Sequence, residues 1–435
     1  MENLENLNKY SKKIIYELKN YLQSEYISLK YNDHSIINNM INIFNNIEYV
    51  LLKPIKSTII KKLISDNTDP LIYQILNELD EFKKYNINNF SEFIKWYREN
   101  HNLLNIKHIL KKKSPKYYDL LFNPINERQK LHNMLYDNFF VPIDVIHHAE
   151  SVDLVYTIYE GNNSKIIIYK PVNSKKDINI ELISKIISFF RILFKKDMHI
   201  DLTVFYGKQK KYISYTKYIC TDNVNSGSTC MNCGPATGIM IWREEEFYKV
   251  LIHELIHYFG IDFYTNDNIY QQVDKIFKKH FNIEGIDKVN ESYTEILAIT
   301  IHSVIYSCIH KYNINDILSY ELLFSNYQVG KLFIHFNIDP NSNNNIIYQK
   351  TSACSYYIIK CIFLNNLNIF LDFWNINGFF ILGNNEKYYK KIYNDIVNIK
   401  SLNIKCINNI ILFIKNNTDK NNFVSKTMRM SLFQL

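Results

Sequence analysis

Two histidines and a glutamate stand close together in the stretch VLIHELIHYFGIDF, residues 250–263. His253 and His257 are four residues apart, so on an α-helix they lie on the same face, with Glu254 about 100° around the helix from His253. Imidazole nitrogens are good zinc ligands, and zinc lowers the pKa of a bound water to about 7, where a neighbouring carboxylate can take its proton. The stretch therefore predicts a zinc site with His253 and His257 as ligands and Glu254 as general base.

The helix that carries these residues is predicted to run from about Glu244 to Phe259. Almost all its other residues are apolar around the whole circumference, which indicates a buried helix. Buried polar side chains need partners, because an unpaired one costs about 1–3 kcal/mol. Zinc would be one such partner. The alternative is a pair of core histidines bonded to main-chain carbonyls, and the His-Glu-His spacing favours zinc.

The residues that follow the helix narrow the class of zinc site. The pattern H-E-x-x-H-x-x-G-x-x-H would place a third histidine at position 263, but Phe263 stands there and Asp262 is one position out of register. The order is also not H-x-x-E-H. Gly260 is interpreted as the residue that ends the helix.

A second acidic motif follows 34 residues after His257, where NESYTEI places Glu291 and Glu295 four apart near the start of a long predicted helix. Together with HELIH, this resembles the gluzincins, the thermolysin-like zinc peptidases, whose second helix carries an N-E-x-x-x-D/E element. The resemblance implies that Glu291 is the third zinc ligand and that Glu295 braces a zinc-binding histidine. The alternative is two exposed acids in a first helical turn, where the helix dipole favours negative charge.

The resemblance also assigns a role to the strand predicted just before the HELIH helix. In such proteins an edge strand of the upper subdomain runs along the cleft and pairs with an extended substrate. The resemblance thus implies a substrate-binding strand in GIMIW, formed by Gly238, Ile239, Met240, Ile241 and Trp242. The longer stretch DNVNSGSTCMNCGPATGIMIWREEEFYKVLIHELIHYFGIDF is similar to zincin-type proteins encoded by large DNA viruses.

Several other residues are candidates for supporting roles. The family usually adds a Tyr, His or Arg that stabilises the oxyanion of the tetrahedral intermediate. Four tyrosines remain open for this role: Tyr264, Tyr270, Tyr356 and Tyr357. His302 lies on much the same helical face as Glu295 and is either a neighbour of the metal site or a core histidine. Cys230 and Cys233 form a single C-x-x-C in a loop rich in Gly, Ser and Pro, which is interpreted as structural.

Hydrophobic patterning divides the chain into three regions. Residues 1–135 show apolar residues three or four apart in successive segments and predict an all-helical N-terminal region. Residues 136–264 predict strand, strand, helix, strand, strand and then the HELIH helix, which together form the upper subdomain. Residues 265–435 return to the helical period and predict a helical lower subdomain that carries Glu291. The fold class is α+β, and the resemblance implies a zincin-like catalytic core with a small mixed sheet.

Composition limits the class of protein. The 435 residues are 47% hydrophobic and 22% charged, which is typical of globular proteins. The net charge of +8 is spread through every segment, so no nucleic-acid partner is predicted. No secretory signal is visible, and no apolar run reaches the roughly 18 residues of a membrane span. Seven cysteines in such a chain predict a reducing compartment without disulfides, hence an intracellular, cytoplasmic location, or a virion if the protein is viral.

The sequence therefore predicts a zinc-dependent metallopeptidase that carries one Zn²⁺ per chain and acts on polypeptides. It would hydrolyse peptide bonds through a zinc-activated water, with Glu254 as general base. The alternative is a catalytically silent zincin-fold protein, such as a virion, scaffold or interaction protein. The presence of Glu254 favours the enzyme. Cleavage specificity, endo- or exopeptidase action, and oligomeric state stay open.

Overall fold

The computed structural model describes residues 9–22, 34–50, 52–61, 140–213, 218–230, 238–262, 281–285, 288–340, 346–377, 404–417 and 426–435, with single positions at 127–138 and 271–279. Its helices are α1 (Lys9–Leu22), α2 (Ser35–Asn46), α3 (Ile143–Ser151), α4 (Ile180–Phe194), α5 (Thr221–Val224), α6 (Phe247–Tyr258), α7 (Asn290–His310), α8 (Ile314–Phe336), a π-helix (Ser355–Ile359), α9 (Lys360–Asn365), α10 (Leu367–Asn377) and α11 (Ile404–Asn417). Its strands are β1 (Lys53–Ile60), β2 (Leu154–Gly161), β3 (Ser164–Pro171), β4 (Ile200–Phe205), β5 (Gly227–Cys230), β6 (Gly238–Ile241), β7 (Ile283–Gly285) and β8 (Ile347–Gln349).

Six strands form one mixed sheet in the order β1-β2-β3-β4-β6-β5. Strands β1 to β3 pair antiparallel, β3, β4 and β6 pair parallel, and β5 is antiparallel to β6. Helix α4 connects the parallel neighbours β3 and β4, as such neighbours require a crossover. The predicted α+β class is confirmed, and the sheet leads through β6 directly into α6.

The N-terminal region is not all helical, contrary to the sequence prediction. Helices α1 and α2 are present, but Lys53–Ile60 forms strand β1 and pairs with β2, with Lys53 opposite Glu160 and Ile60 opposite Leu154. The stretch KPIKSTII combines a proline with β-branched residues, which favour a strand over a helix. The helices predicted within residues 62–126 lie outside the described residues.

The strand GIMIW does not lie at the edge of the sheet, so this part of the prediction is wrong. Its residues form β6, which pairs with β4 on one side and with β5 on the other. The edge position is taken by β5, the short stretch Gly-Ser-Thr-Cys. Trp242 follows β6 and is fully buried.

Helix α6 begins three residues later than predicted and ends one residue earlier, at Tyr258. Glu246 precedes it in a left-handed conformation with φ 58°, so the regular helix starts at Phe247. Gly260 has φ 60° directly after the last turn, which only glycine adopts without strain. The helix packs against β5, β6 and α7, and this packing buries its apolar residues.

Helix α7 is, by length and composition, apolar enough to cross a membrane, with a mean hydropathy of 1.2 over its most apolar stretch. However, 89% of that stretch is buried inside the protein. It packs against α2, α6 and α8. The apolar composition of α7 is therefore accounted for by its position in the core.

The cysteines differ from expectation in one respect. Cys220, Cys308, Cys354, Cys361 and Cys406 are free thiols, as predicted. Cys230, the last residue of β5, is disulfide-bonded. The prediction that the chain forms no disulfide is therefore wrong.

Candidate metal centre

Three metal-ligating side chains meet between helices α6 and α7. His253 and His257 lie one turn apart on α6, and Glu291 lies in the first turn of α7. Nε2 of His253 is 3.0 Å from Nε2 of His257, and Oε2 of Glu291 is 3.4 Å from each of these nitrogens. The three atoms form a nearly equilateral triangle that could hold a metal ion.

The size of this triangle fits a tetrahedral ion. Zinc bonds of about 2.05 Å place the ligand atoms of a regular tetrahedron about 3.3 Å apart, close to the observed edges. Oε2 of Glu291 is buried and has no hydrogen-bond partner in the described part of the chain. Its distances of 3.4 Å exceed those of ordinary N–H···O bonds. A cation would satisfy this oxygen and both nitrogens, and the triangle fits other divalent metals of similar bond length as well.

Each imidazole also contacts a further carboxylate through Nδ1, the ring nitrogen that is not part of the triangle. Oε1 of Glu295 is 2.8 Å from Nδ1 of His253, and Oδ2 of Asp262 is 2.6 Å from Nδ1 of His257. The hydrogen bond with Asp262 favours a proton on Nδ1 of His257. Glu295 stands in the corresponding position beside Nδ1 of His253 as an ion-pair partner. This arrangement is typical of histidines that bind metals.

Glu295 has a buried counter-ion on the helix of the histidines. Lys249, one turn before His253, donates from Nζ to Oε1 of Glu295. Both side chains are only 1% exposed. Removing one partner of such a buried pair is destabilising by about 3–5 kcal/mol, because the other charge stays behind unpaired. Lys249 thus keeps Glu295 ionised where it contacts His253.

The charges around the triangle favour a positive occupant. Burial disfavours the charged form of His253 and His257, but the nearby carboxylates outweigh burial and raise the pKa of both imidazoles. Burial also disfavours ionised Glu291, yet the two imidazoles lower the pKa of Glu291 well below its usual range. Surroundings that stabilise positive charge on the histidines also stabilise a cation between them.

Glu254 faces the edge strand β5. Thr229 of β5 donates from Oγ1 to Oε2 of Glu254 at 2.8 Å. Burial raises the pKa of Glu254, although the imidazoles of His253 and His257 act in the opposite direction. A carboxylate with a raised pKa is a stronger base once ionised, so Glu254 suits proton transfer near neutral pH.

Gly227 lets β5 approach helix α6 this closely. A Cβ atom on Gly227 would lie 2.8 Å from both Oε1 of Glu254 and Cγ1 of Val250, closer than real Cβ contacts allow. Side chains alternate along a strand, so Gly227 and Thr229 face α6 while Ser228 faces the other side. A side chain at position 227 would therefore displace Glu254 or the strand.

Tyr356 is the tyrosine candidate whose ring lies beside the metal centre. Its ring centroid is 6.3 Å from that of His253, and the two rings meet edge to face. Tyr356 belongs to the π-helix, a conformation that is frequent at functional sites. Tyr357, the next residue, is fully buried and donates its hydroxyl to the carbonyl of Met428, away from the centre.

His302 is the one remaining candidate that lies among the described residues, and it does not join the triangle. Tyr264, Tyr270 and Cys233 lie outside the described residues. His302 is 1% exposed, and burial together with the charge of Lys249 lowers its pKa to about 3. His302 is therefore a neutral core histidine.

Sequence reasoning missed three residues of this centre. Asp262 was considered only as a misplaced third ligand, although an acid just beyond the helix-ending glycine can reach back to the last turn. Lys249, a lysine in an otherwise apolar buried helix, signals a buried partner. Thr229 gave no signal, because its strand was not predicted.

The structure thus brings together His253, His257 and Glu291, with Glu295 behind His253 and Glu254 beside the edge strand. No family model matches the chain, and neither the curated proteins nor the solved structures show a significant match to it. The chemistry of the centre is therefore argued from its own residues.

Proposed function

We propose that the protein is a zinc-dependent metallopeptidase of gluzincin type. The observation that carries this proposal is a triangle of three ligand atoms with Glu254 on the same helix. Catalytic zinc sites have three protein ligands and an open fourth position, whereas structural sites have four protein ligands. Among the described residues, the group of side chains that could hold a metal consists of His253, His257 and Glu291, which is the number of protein ligands expected for a catalytic site.

The chain's own residues would divide the work as follows. Zinc, held by His253, His257 and Glu291, would act as a Lewis acid that makes a water acidic and polarises the scissile carbonyl. Glu254 would accept the proton of the attacking water and deliver it to the leaving amine. Thr229, through its hydrogen bond, would hold the Glu254 carboxylate on the side of β5.

Strand β5 is the proposed binding strand for an extended polypeptide. It lies at the edge of the sheet next to Glu254, and among the described strands it pairs only with β6. An extended peptide can add to such an edge through main-chain hydrogen bonds. β5 thus takes the role that the resemblance had assigned to GIMIW.

Tyr356 is the proposed oxyanion-stabilising residue. Its ring lies edge to face with that of His253, with 6.3 Å between the ring centroids. A phenolic O–H next to a metal ligand can donate to the oxygen on which negative charge develops during attack. This role depends on the peptidase proposal.

A metal-binding protein without turnover is the second candidate. Glu254 is only 5% exposed and its carboxylate already accepts a hydrogen bond from Thr229, which would suit a closed, structural site. In that case zinc would serve to hold α6 against α7. The same residues would bind the metal in both cases.

The variant Glu254→Gln separates the two candidates, because it keeps the size of the side chain and removes the proton acceptor. We expect unchanged zinc content and a fall in the hydrolysis of a mixed peptide library by at least about a hundredfold. Equal activity in the two proteins would show that Glu254 is not the base. If the zinc-loaded wild-type protein cleaves no peptide, the structural candidate is correct.

A further inference from the structure

Apart from Lys426, which is helical, the segment 426–435 crosses the core without belonging to a helix or a longer strand. It makes one bridge, between Thr427 and Tyr212. Buried main-chain groups outside regular structure need other hydrogen-bond partners. In this segment side chains from the surrounding helices supply most of them, as in a complex between a protein and a bound peptide. Its buried residues are Thr427, Met428, Arg429, Met430, Ser431, Leu432 and Phe433.

Two glutamates accept the N–H groups of the segment. Oε1 of Glu246, just before α6, accepts from the main chain of Met430 at 2.9 Å and of Ser431 at 2.5 Å. Glu321 of α8 accepts the next two N–H groups, at 2.9 and 3.2 Å, and the hydroxyl of Ser431 at 2.7 Å. Charged acceptors make the stronger class of hydrogen bond.

Four consecutive carbonyls, those of residues 427–430, accept hydrogen bonds from side chains. The donors, in that order, are Lys331, Tyr357, Gln328 and Lys360. The donors come from α8, the π-helix and α9. The segment is thus held by both its N–H groups and its carbonyls.

The groove that holds the segment is stable only when it is filled. Four charged side chains that line the groove are each at most 4% exposed: Glu246, Glu321, Lys331 and Lys360. Without the segment all four would lose their main-chain partners, and buried polar groups that lose hydrogen bonds are strongly unfavourable, although Glu246 would keep its ion pair with Lys211. Loss of the segment would therefore let the surrounding helices move apart.

The same groove reaches the metal centre through two residues of the α6 region. Sδ of Met430 is 3.7 Å from Nζ of Lys249, which donates to Glu295. Glu295 in turn contacts Nδ1 of His253. Glu246, which binds two N–H groups of the segment, sets where α6 begins. Docking of the segment thus positions both the histidine helix and the carboxylate behind His253.

We propose that segment 426–435 is an intramolecular peptide ligand whose docking completes the metal centre. This inference rests on the metal site of the proposed function. Coupling between two binding events is reciprocal, so docking raises the affinity for metal and metal tightens docking by the same factor. The centre and the segment then form one cooperative unit.

The test uses the full chain and the variant Glu321→Gln, which weakens docking at the end of the segment bound by α8. Zinc affinity is measured by competition with a chelator, and hydrogen exchange is followed at the amides of 426–435 with and without zinc. We expect faster exchange in the variant and a zinc affinity lower by about three- to thirtyfold. In the wild-type protein, zinc should slow exchange in the segment.

Two further variants keep the test decisive. Ser431→Ala removes only the hydroxyl bonded to Glu321. It should lower zinc affinity and speed hydrogen exchange in the segment, as Glu321→Gln does, but by smaller amounts. It can therefore replace Glu321→Gln if that variant does not fold. Ile168→Ala, in the core face of β3, should lower stability without changing zinc affinity. Faster exchange with unchanged zinc affinity would overturn the coupling while leaving the metal site intact. A wild-type protein that binds no zinc would overturn both.

Discussion

Two clusters of buried charge lie along helix α6 and differ in how their groups are satisfied. Around segment 426–435, Glu246 and Glu321 each accept at least two main-chain N–H groups. At the metal centre, Oε2 of Glu291 is also buried but lies 3.4 Å from two imidazole nitrogens and accepts no hydrogen bond from the described residues. The two clusters share residue types but differ in unmet bonding capacity, and they also differ in burial. The side chains of His257 and Glu291 are 18% and 14% exposed, whereas Glu246 and Glu321 are 2% and 1% exposed.

The comparison shows which buried charges indicate a ligand. The carboxylate of Glu246 is accounted for by its surroundings: Oε1 accepts two main-chain N–H groups, and Oε2 lies 2.5 Å from Nζ of Lys211 in a buried ion pair. At the metal centre the two imidazole nitrogens lie 3.0 Å apart and Oε2 of Glu291 lies 3.4 Å from both. This buried oxygen has no hydrogen bond from the described residues, which is unfavourable unless something binds between the three atoms. Variants of the metal centre should therefore change metal binding, whereas variants of the segment cluster should first change stability.

The largest effect is expected from removing a ligand atom. His257→Ala and Glu291→Ala should each abolish tight zinc binding, because two remaining ligands hold zinc poorly. Circular dichroism in zinc-free buffer should show an intact fold for both. If Glu295→Ala releases zinc more readily to a chelator than Glu291→Ala, then Glu295 is the third ligand.

The next largest effect concerns catalysis. Tyr356→Phe removes the hydroxyl of the ring that lies edge to face with His253 and should lower kcat by about a hundredfold or more, as loss of an oxyanion donor typically does. KM and zinc content should stay close to those of the wild-type protein. Tyr357→Phe serves as the neighbouring control, because the hydroxyl of Tyr357 donates to the carbonyl of Met428. A larger fall in kcat for Tyr357→Phe than for Tyr356→Phe would show that Tyr356 is not the oxyanion-stabilising residue.

Smaller effects on the metal are expected from the carboxylates behind the histidines. Glu295→Ala and Asp262→Asn should each weaken zinc affinity by about ten- to a hundredfold while leaving the metal bound at saturating zinc. Isothermal titration measures both. Unchanged affinity in Asp262→Asn would mean that its contact with His257 does not orient the imidazole.

The smallest effect separates the two clusters by stability. Ser431→Ala removes one hydrogen bond to Glu321 and should lower the free energy of unfolding by about 1–3 kcal/mol. In zinc-free buffer Glu291→Gln should lower it by less, since Oε2 of Glu291 accepts no hydrogen bond from the described residues. Denaturant unfolding of both variants gives the ranking, and the reverse ranking would contradict the distinction between the clusters.

The candidate metal ligands could be predicted from sequence, although helical spacing accounts only for the two histidines. His253 and His257 share a face by their spacing of four, and Glu291 was assigned through the resemblance of NESYTEI to a known element. Glu295 was likewise expected behind a histidine, where the structure places it.

Other features depend on tertiary pairing and could not be predicted in the same way. Gly-Ser-Thr-Cys has weak strand propensity, and it forms β5 because β6 lies alongside. Strand β1 similarly forms by pairing with β2, across a separation of about a hundred residues. The contacts of segment 426–435 come from side chains distant in sequence, which no local pattern indicates.

The central claim is that His253, His257 and Glu291 hold one zinc ion. Its most direct test is the metal content of purified wild-type protein, measured by inductively coupled plasma mass spectrometry. The protein is first dialysed against zinc-containing buffer and then against metal-free buffer. We predict about one zinc per chain in the wild-type protein and in Glu254→Gln, and none in His257→Ala. Wild-type protein that retains no metal under these conditions would contradict the claim.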